Sequence, residues 1–385
     1  MRHLFQRFAD FFRESDKIFL ILCVATTLYG CTAVFSATYH MNTFRPIIVQ
    51  FACMILGVLG ALIVSSFDLE KFYKRWYIVA AVGVIPVLLT FFIGIAPEGT
   101  DDKAWLDLGI TTFQPSELLK ICFILTFSLH LSRIKANINK PKYLLPLCAH
   151  GAAPILLIHF QGDDGTALVF AIIVVFMMWV AGVSWKYFAA AFGAVLVASP
   201  FVYFFVMNDD HRARIKLLFD IDADIKGIGY QQWLGRRSLA NGGLFGQGYL
   251  KGTLTQSGIV PEGHNDFIFV GIGEELGFLG CLAVIILLVA ICLRCIRVAK
   301  LSTKDSNRYV CIGFFAMIFA QSVINIGMCT SVLPVIGITL PFFSAGGTSS
   351  MCLYFGIGLV QSVHMHKQNN EVIKLSYTRN ERIKI

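Results

Sequence analysis

The sequence has few charged residues for its length. Only 15% of its 385 residues are Asp, Glu, Lys or Arg, whereas a soluble globular domain usually carries about a quarter. Hydrophobic residues make up 56%, Phe alone occurs 34 times, and the mean hydropathy is +0.69. This composition predicts an integral membrane protein, surrounded by lipid. The length allows about ten helices of the roughly 20 residues that cross a bilayer.

Several patterns of soluble enzymes are missing as well. The sequence contains no P-loop, no H-E-x-x-H and no low-complexity tract. The long polar segment in the middle of the chain has none of the eleven cysteines, so no disulfide framework is expected. Cys292 and Cys295 form a single C-x-x-C with no second pair or nearby His, which argues against a zinc site. We therefore expect no cofactor and no metal, with a divalent cation left as an open alternative.

Ten apolar stretches are long enough to span the bilayer. Their predicted bounds are Ile18–Thr38, Phe44–Ser66, Trp76–Ala96, Ser116–Ile134, Tyr143–Phe160, Thr166–Val183, Tyr187–Met207, Phe267–Leu293, Tyr309–Thr330 and Thr339–His364. The stretch before the first span is charged, and the apolar run after it is long enough to cross, so a removable leader is not expected. The predicted fold class is an all-α integral membrane protein with about ten transmembrane helices.

The positions of Lys and Arg predict the orientation of these spans. Basic residues concentrate before the first span and in alternate connections, whereas Gln161–Gly165 and Cys329–Leu340 have none. By the positive-inside rule both termini are cytoplasmic. This gives a cytoplasmic segment at 1–17, a membrane domain at 18–366 and a cytoplasmic tail at 367–385. The net charge of +8 is then a topology signal, and no nucleic-acid partner is expected.

One outward connection is long, residues 208–265, and it is predicted to be a single extracellular loop. Long loops cross a membrane regardless of their charge, so its basic residues do not change the topology. Its first part, "DDHRARIKLLFDIDADIKG", predicts a short amphipathic helix at the membrane surface. Its second part, "NGGLFGQGYLKGT", has glycines that allow the backbone to approach a partner closely. A function is favoured for a loop of this length, although a tolerated surface insertion remains the alternative.

Four carboxylates lie in the stretch that opens the eighth span, "IVPEGHNDFIFVGIGEELGFLG", and three of them, Asp266, Glu274 and Glu275, lie at the edge of its apolar run or inside it. Asp266 is at its outer edge, next to His264, where an Asp can either cap the helix or take part in function. Glu274 and Glu275 follow, roughly 12 Å deeper by helical rise. Ionisable groups inside spans often mark function. For this pair we favour the structural interpretation, an interhelical hydrogen bond or ion pair.

Three further polar clusters are predicted at the same outer surface. Glu117 and Lys120 share one face at the start of the fourth span, just after a proline suited to a first helical turn. Asp163 lies in the next outward turn, and Ser344 lies in "LPFFSAGGTSS" before the last span. Together with Asp266 these clusters resemble the rim of a site. Carboxylates with Lys and Arg would suit a phosphorylated, hydroxyl-rich substrate in the outer leaflet.

The sequence resembles the SEDS (shape, elongation, division and sporulation) family of bacterial cell-wall polymerases, the RodA and FtsW proteins. The matching blocks follow the family's order across nearly the whole chain: "FQPSELLK", "QGDDGTAL", "GYQ", "GGLFGQG", "PEGHNDFIFVGIGEELGFLG", "NIGM" and "LPFFSAGGTSS". The resemblance implies a glycosyltransferase that polymerises lipid II into β-1,4-linked glycan strands outside the membrane. It also implies a class B penicillin-binding protein, a transpeptidase, as partner. "GQGYLKGT" favours the RodA branch, and a division- or sporulation-type paralogue with the same chemistry is the alternative.

Carried over residue by residue, the family's essential Asp corresponds to Asp266, which we assign as the catalytic base. Glu117 and Lys120 match the polar pair beside it. Two positions depart from the family pattern, Gly162 where Pro is usual and Ala345 where Tyr is usual.

The remaining assignments follow from the chemistry that this resemblance implies. A departing pyrophosphate needs positive charge, so Lys120 is expected to face it together with one or more loop cations. The expected substrate-binding residues are Glu117, Lys120, Arg236, Arg237, Lys251 and His264. The expected structural polar residues in the membrane are Asp163, Glu274, Glu275 and Ser344.

Two other functions remain open from the sequence. A flippase for lipid II would also have many spans and buried carboxylates. The outer location of the polar clusters argues against it, because alternating-access transporters bind near the bilayer midplane. A non-catalytic scaffold that only positions the transpeptidase is the third alternative.

Overall fold

The computed structural model describes the backbone of residues 11–382 apart from 12, 97–101, 110–111 and 221–223, and the side chains of the same residues apart from 210 and 367–382. The terminal segments predicted at 1–17 and 367–385 therefore lie largely outside the described side chains. Within the described residues the helices are α1 Lys17–Thr38, α2 Arg45–Ser65, α3 Leu69–Lys74, α4 Trp76–Ile93, α5 Pro115–Ile134, α6 Pro141–His159, α7 Asp164–Ala181, α8 Trp185–Phe201, α9 Asp209–Lys216, α10 Tyr230–Gly242, α11 Thr253–Gln256, α12 Ile268–Leu301, α13 Asp305–Cys329 and α14 Gly347–Arg382.

Ten of these helices are long, and each overlaps one of the ten predicted spans. Two predicted bounds are wrong, because α12 continues to Leu301 and α14 begins only at Gly347. In the described part of the chain, eight are long and apolar enough to cross a membrane. The other two, α5 and α14, begin with polar residues that lower their hydropathy. The predicted all-α membrane fold is confirmed.

The core of the bundle lies around α13, which packs against α5, α7 and α12, while α14 packs along α2. Large side chains with no exposed surface fill it, among them Phe127, Phe170, Phe314 and Tyr354. At the edge of the bundle α8 has no buried residue, and it continues into a π-helical turn, Val202–Val206. One end of the bundle carries the basic connections. The opposite end, called the outer end below, carries the four polar clusters.

A small hairpin lies at the outer end between α4 and α5, where the sequence predicted no strand. Strand β1, Leu106–Asp107, pairs antiparallel with β2, Thr112–Phe113. Thr348 at the start of α14 donates a hydrogen bond to the carbonyl of Thr112 at 3.1 Å. The hairpin thereby fixes the chain just before α5.

Helix α12 is interrupted at Gly277, whose φ of 68° and ψ of −164° are not helical. A helix that stops inside a bundle leaves amide and carbonyl groups without partners, and near lipid these must be satisfied by protein. Residues 242–248, called the docking segment below, supply the partners. Four backbone hydrogen bonds join it to α12, namely Gln247 N to Glu274 O at 3.0 Å, Gly248 N to Glu275 O at 3.0 Å, Phe278 N to Gly243 O at 2.9 Å and Leu279 N to Leu244 O at 3.3 Å.

Glycines make this close approach between backbones feasible. A Cβ at Gly242 would overlap the carbonyl oxygen of Gly273, and a Cβ at Gly246 would overlap that of Glu275. Gly246 also has a φ of 80°, which a residue with a side chain rarely adopts. The predicted role of the glycines in "NGGLFGQG" is therefore confirmed.

The long outer connection is structured over most of its length, since it contains α9, α10 and α11. The predicted amphipathic helix is present but short, because α9 ends at Lys216. Its Asn208 cap accepts a hydrogen bond from the amide of His211 at 2.9 Å. The described part of this connection is folded onto the bundle, where α10 packs on α12 and α11 packs on α1. Its functional role stays a prediction.

Candidate functional site

Asp266 lies in a turn immediately before α12. The helix begins at Ile268, its N-cap is Phe267, and no side chain caps it. The interpretation of Asp266 as a helix cap is therefore wrong, because the turn places it two residues before the first helical position. Its side chain is partly exposed at the outer end of the bundle.

Hydrogen bonds hold the backbone of this turn from two sides. Residues before α14 bind the first part, since the amide of Ala345 donates to His264 O at 2.9 Å and the hydroxyl of Ser344 donates to Asn265 O at 2.8 Å. From α13, the side chain of Asn325 donates to Asp266 O at 2.8 Å. Three consecutive carbonyls are thus occupied, so the position of Asp266 is set by two helices and the segment between them.

The carboxylate of Asp266 lies near two other acids. Burial, followed by the charges of Glu262 and Asp163, raises the pKa of Asp266 from its usual value of 3.8 to about 7. Gly337 faces the same carboxylate, because a Cβ at that residue would lie 3.4 Å from its Oδ2. A carboxyl group with a pKa near neutrality can exchange a proton under physiological conditions.

Asp163 joins this cluster from the start of α7. It is the N-cap of that helix, where it accepts a hydrogen bond from the amide of Thr166 at 2.8 Å, and it also accepts one from Gln114 at 2.9 Å. Burial raises the pKa of the Asp163 carboxyl, against the lowering effect of the Thr166 hydrogen bonds and of Lys120. The preceding residue, Gly162, has a φ of 98°, which proline cannot adopt because its ring fixes φ near −65°. The chain therefore makes a turn at Gly162 that a Pro at this position could not make.

Glu117 and Lys120 form the contact that their spacing predicts. The ammonium of Lys120 donates to the carboxylate of Glu117 at 2.7 Å, and the side chains are 9% and 1% exposed for Glu117 and Lys120. The pair is inside the protein, so it is not the solvent-exposed helix pair that an i,i+3 spacing by itself would also allow. Lys120 is also not open to solvent, contrary to the expectation that it faces a bound diphosphate. Its charge instead acts on Glu117 and Asp163.

Glu274 binds the loop helix α11. Its two carboxylate oxygens accept hydrogen bonds from the amides of Leu254 at 2.9 Å and Thr255 at 2.8 Å, and from the hydroxyls of Thr253 and Thr255. The hydrogen-bond partner of Glu274 is thus the start of helix α11 in the outer connection, whereas the sequence predicted a bond to a neighbouring membrane-spanning helix.

Glu275 joins α1 to the same loop helix. It accepts hydrogen bonds from Ser36 at 2.5 Å and from Gln256 at 2.7 Å. Both glutamates also lie less deep than their position in an apolar run suggested. Glu274 is roughly 30 Å along the helix from Arg294, the basic residue paired with Asp16 at the opposite end. That distance is about the full thickness of the hydrocarbon, so both carboxylates lie at its outer boundary.

The three expected loop cations are exposed. Arg236 and Arg237 lie on α10, where the guanidinium of Arg237 is 5.3 Å from the ring centre of Trp233. Lys251 lies just before α11 and is also exposed. Helix α10 packs on α12 next to Phe267, because a Cβ at Gly235 would contact its ring. These three cations therefore lie at the outer end. Among the described residues, none of them forms a hydrogen bond or an ion pair with the side chain of Asp266.

A cavity of about 240 Å³ opens beside the turn that carries Asp266. It lies between the end of α1 and residues 258–264, and its polar lining residues are His40, Thr255, Glu262 and His264. Burial and His40 lower the pKa of His264, against the raising effect of Glu262. A neutral imidazole there can donate or accept a hydrogen bond, which suits hydroxyl groups.

Sequence reasoning missed several polar residues that shape this site. Asn325 was within a matching block but had no assigned role, and Gln50, which donates to Ser344 O at 3.1 Å, was not noticed. Both are polar residues inside apolar runs, which is the signal that could have identified them. In the described residues, no three His, Cys, Asp or Glu are placed to hold a metal ion.

The whole chain was compared with known proteins. A family model described as "Cell cycle protein" and named for FtsW, RodA and SpoVE matches residues 16–369. The chain belongs to this family. The peptidoglycan glycosyltransferase MrdB of Escherichia coli is 30% identical over 92% of the chain and 94% of its own length. A probable peptidoglycan glycosyltransferase FtsW of Geobacter metallireducens is 30% identical over 90% and 94%.

Solved structures agree with this membership. A chain from the solved structure "Structural coordination of polymerization and crosslinking by a peptidoglycan synthase complex" matches with a TM-score of 0.78 at 25% identity. The match covers 92% of this chain and 98% of that chain. The crystal structure of Thermus thermophilus rod shape determining protein RodA has a TM-score of 0.67 at 24% identity, with 91% and 96% covered. The second likeness shows the fold alone.

Proposed function

We propose that this protein is a peptidoglycan glycosyltransferase that polymerises lipid II at the outer face of the bacterial cytoplasmic membrane. Relatives that match it over nine-tenths of its length carry that activity in their names. The observation that carries the proposal is the setting of Asp266. This partly exposed residue has its pKa raised to about 7, and hydrogen bonds fix the backbone of its turn beside a cavity at the outer end. The elongation role stays a proposal, because relatives named MrdB and FtsW are equally similar to the chain.

The proposed reaction is one displacement. The 4-hydroxyl oxygen of the acceptor sugar attacks the anomeric carbon of the donor, while the bond from that carbon to the pyrophosphate oxygen breaks. Asp266 takes the hydroxyl proton, and undecaprenyl pyrophosphate leaves with the bonding electron pair. Attack from the opposite face converts the α-linked donor into a β linkage. General-base catalysis of this kind contributes about 10²–10⁴-fold to the rate.

Positive charge for the leaving pyrophosphate is assigned to the exposed loop cations Arg236, Arg237 and Lys251. Lys120 has a different role in this proposal, because it is buried and paired with Glu117. It offsets part of the negative charge of Glu117 and Asp163, which in turn affects the neighbouring Asp266. No step of the proposed reaction requires a bound cation.

A class B penicillin-binding protein is the proposed partner. The solved synthase complex that this chain resembles is described as coordinating polymerization with crosslinking. A polymerase of single glycan strands needs a transpeptidase to connect them, so a partner of that class follows from the proposed product.

Transport of lipid II is less well supported than polymerisation. The hydrogen bonds of Glu274 and Glu275 to α11, Ser36 and Gln256 give both carboxylates a structural explanation. They therefore no longer argue for a proton or substrate path.

The test is polymerisation of lipid II by purified protein in detergent, with and without a co-purified class B partner. We expect glycan strands from the wild type and a loss of at least about 100-fold for Asp266→Asn. Asp164→Asn is the matched control, because Asp164 is an exposed acid of the same outer end, bonded to His159 at 2.5 Å. Near-wild-type synthesis by Asp266→Asn would disprove the assignment of the base. No product from wild type with its partner would instead revive transport.

A further inference from the structure

Asn325 uses both N–H groups of its side chain on two separate backbone segments. It lies in α13 and has no exposed surface. Its Nδ2 donates to Asp266 O at 2.8 Å and to Ile338 O at 2.6 Å. A carboxamide nitrogen has two hydrogens, so both are engaged. The thiol of Cys329, one turn further along α13, lies 3.4 Å from the same Asp266 carbonyl.

The second segment, residues 336–338, forms a wall beside the carboxylate of Asp266. Gly337 faces Oδ2 of Asp266, and its φ of 66° favours glycine. On its other side this wall meets the start of α7, since a Cβ at Gly165 would lie 2.5 Å from Ile336 O. Asp163 is the N-cap of α7. The wall therefore contacts both the turn that holds Asp266 and the helix capped by Asp163, the acid whose charge raises the pKa of Asp266.

We propose that Asn325 is a positioning residue for Asp266, fixing the carboxylate relative to the wall formed by residues 336–338. This rests on the proposed role of Asp266 as the base. One side chain binds both the base-bearing turn and the wall facing it, so loss of Asn325 releases them together. Reacting groups must be held closely, because a misplacement of about 1 Å can cost roughly 100-fold in rate.

A purely structural role for Asn325 would predict a different set of effects. Losing an interhelical hydrogen bond would lower the thermal midpoint and the yield of folded protein, but the folded fraction would keep its kcat and its pH profile. Losing the position of a base lowers kcat with little change in KM. The charged groups that act on Asp266 are Glu262 and Asp163, with Glu117 and Lys120 behind Asp163. On α13 itself the titratable neighbour of Asp266 is Cys329, whose thiol lies 3.4 Å from the Asp266 carbonyl.

The experiment measures kcat, KM and the pH dependence of lipid II polymerisation for Asn325→Ala and Asn325→Asp. We expect Asn325→Ala to lower kcat about tenfold or more at a KM close to that of the wild type. Wild-type kcat should rise with pH through a midpoint near 7, as Asp266 loses its proton. A buried Asp at 325 keeps its proton and can donate only one of the two hydrogen bonds, so Asn325→Asp should also lower kcat at a KM close to that of the wild type.

The matched control is Asn307→Ala, a buried asparagine at the other end of α13 that accepts a hydrogen bond from the hydroxyl of Tyr73 at 3.2 Å. It should keep the wild-type kcat and pH midpoint. Wild-type kcat for folded Asn325→Ala would overturn the proposal. If Asn325→Ala yields no folded protein, kcat of folded Asn325→Asp decides: a lowered kcat at a wild-type KM supports positioning, and a wild-type kcat overturns it.

Asp266→Asn in the same series separates the two proposals. If Asp266→Asn polymerises normally, the base assignment has failed, whatever Asn325 does. If Asp266→Asn is inactive while Asn325→Ala has wild-type kcat, only the positioning role has failed.

Discussion

Single residues at the outer end show how a buried charge is tolerated. Lys120 has almost no exposed side-chain surface and depends on Glu117 at 2.7 Å. Removing both charges from such a pair is often neutral, whereas removing one leaves the other buried without a partner. The consequence of a substitution here therefore depends on the residue that remains.

Lys120→Ala should destabilise the protein by about 3–5 kcal/mol, because it leaves Glu117 unpaired. The measurement is the thermal midpoint in detergent together with the yield of folded protein. The double variant Glu117→Gln with Lys120→Met should recover most of this loss. A single variant as stable as wild type would contradict the buried pair. Low polymerisation by a stable double variant would show that the charges also serve the reaction.

The sequence predicted the chemistry of these residues better than their surroundings. The i,i+3 spacing of Glu117 and Lys120 predicted their contact, because helix geometry alone determines it. Their burial could not be predicted, since it depends on the packing of α5 against other helices. For the same reason Asn325 received no role, because its partners Asp266 and Ile338 are brought to it by the fold.

At the scale of elements, the docking segment completes α12. The helix stops at Gly277, which leaves Glu274 O, Glu275 O, Phe278 N and Leu279 N without the two helical hydrogen bonds that would have joined them. Residues 242–248 provide one hydrogen bond to each of these four groups. This arrangement depends on backbone contact, so it requires glycine at Gly242 and Gly246, where a side chain would overlap α12.

Gly242→Ala should lower the thermal midpoint and reduce polymerisation, because the added methyl pushes the docking segment away from α12 and exposes its unpaired groups. Gly193→Ala is the matched control. Gly193 lies within α8 with no other atom near its would-be Cβ, and alanine favours a helix over glycine by about 1 kcal/mol. It should be neutral or slightly stabilising. If both variants keep the wild-type midpoint, the docking segment does not support α12.

Elements were predicted from the sequence wherever one local signal dominates. The long apolar runs predicted the membrane-spanning helices, because a helix needs about 20 apolar residues to cross a bilayer whatever the tertiary structure. The hairpin at β1 and β2 was missed, since its strands have two residues each and no periodicity to detect. The break at Gly277 was missed as well, because one glycine in an apolar run is compatible with a continuous helix.

At the scale of the whole molecule, packing is uneven. Helix α13 is buried along most of its length, whereas α8 contributes no buried residue and is tied to the bundle near its ends. The hydroxyl of Tyr187 donates to Asn139 O at 2.8 Å at one end. At the other, Arg212 donates to Tyr203 O at 3.0 Å.

Valine-to-alanine substitutions in these two helices should therefore differ in effect. Val310 in α13 has no exposed surface, while Val197 in α8 is 82% exposed. Val310→Ala should lower the thermal midpoint, corresponding to about 2 kcal/mol from lost packing and the remaining cavity. Val197→Ala should leave the midpoint unchanged. Equal effects would mean that α8 packs against the bundle more closely than its exposure indicates.

The interruption of α12 has a consequence for biosynthesis. The docking segment precedes α12 in the chain, so its residues leave the ribosome before those of the helix. The amide and carbonyl groups around Gly277 find their partners only when this segment reaches the outer end of the bundle. Maturation of this helix is therefore coupled to translocation of the preceding loop, and a loop retained on the ribosomal side would leave α12 incomplete at its outer end.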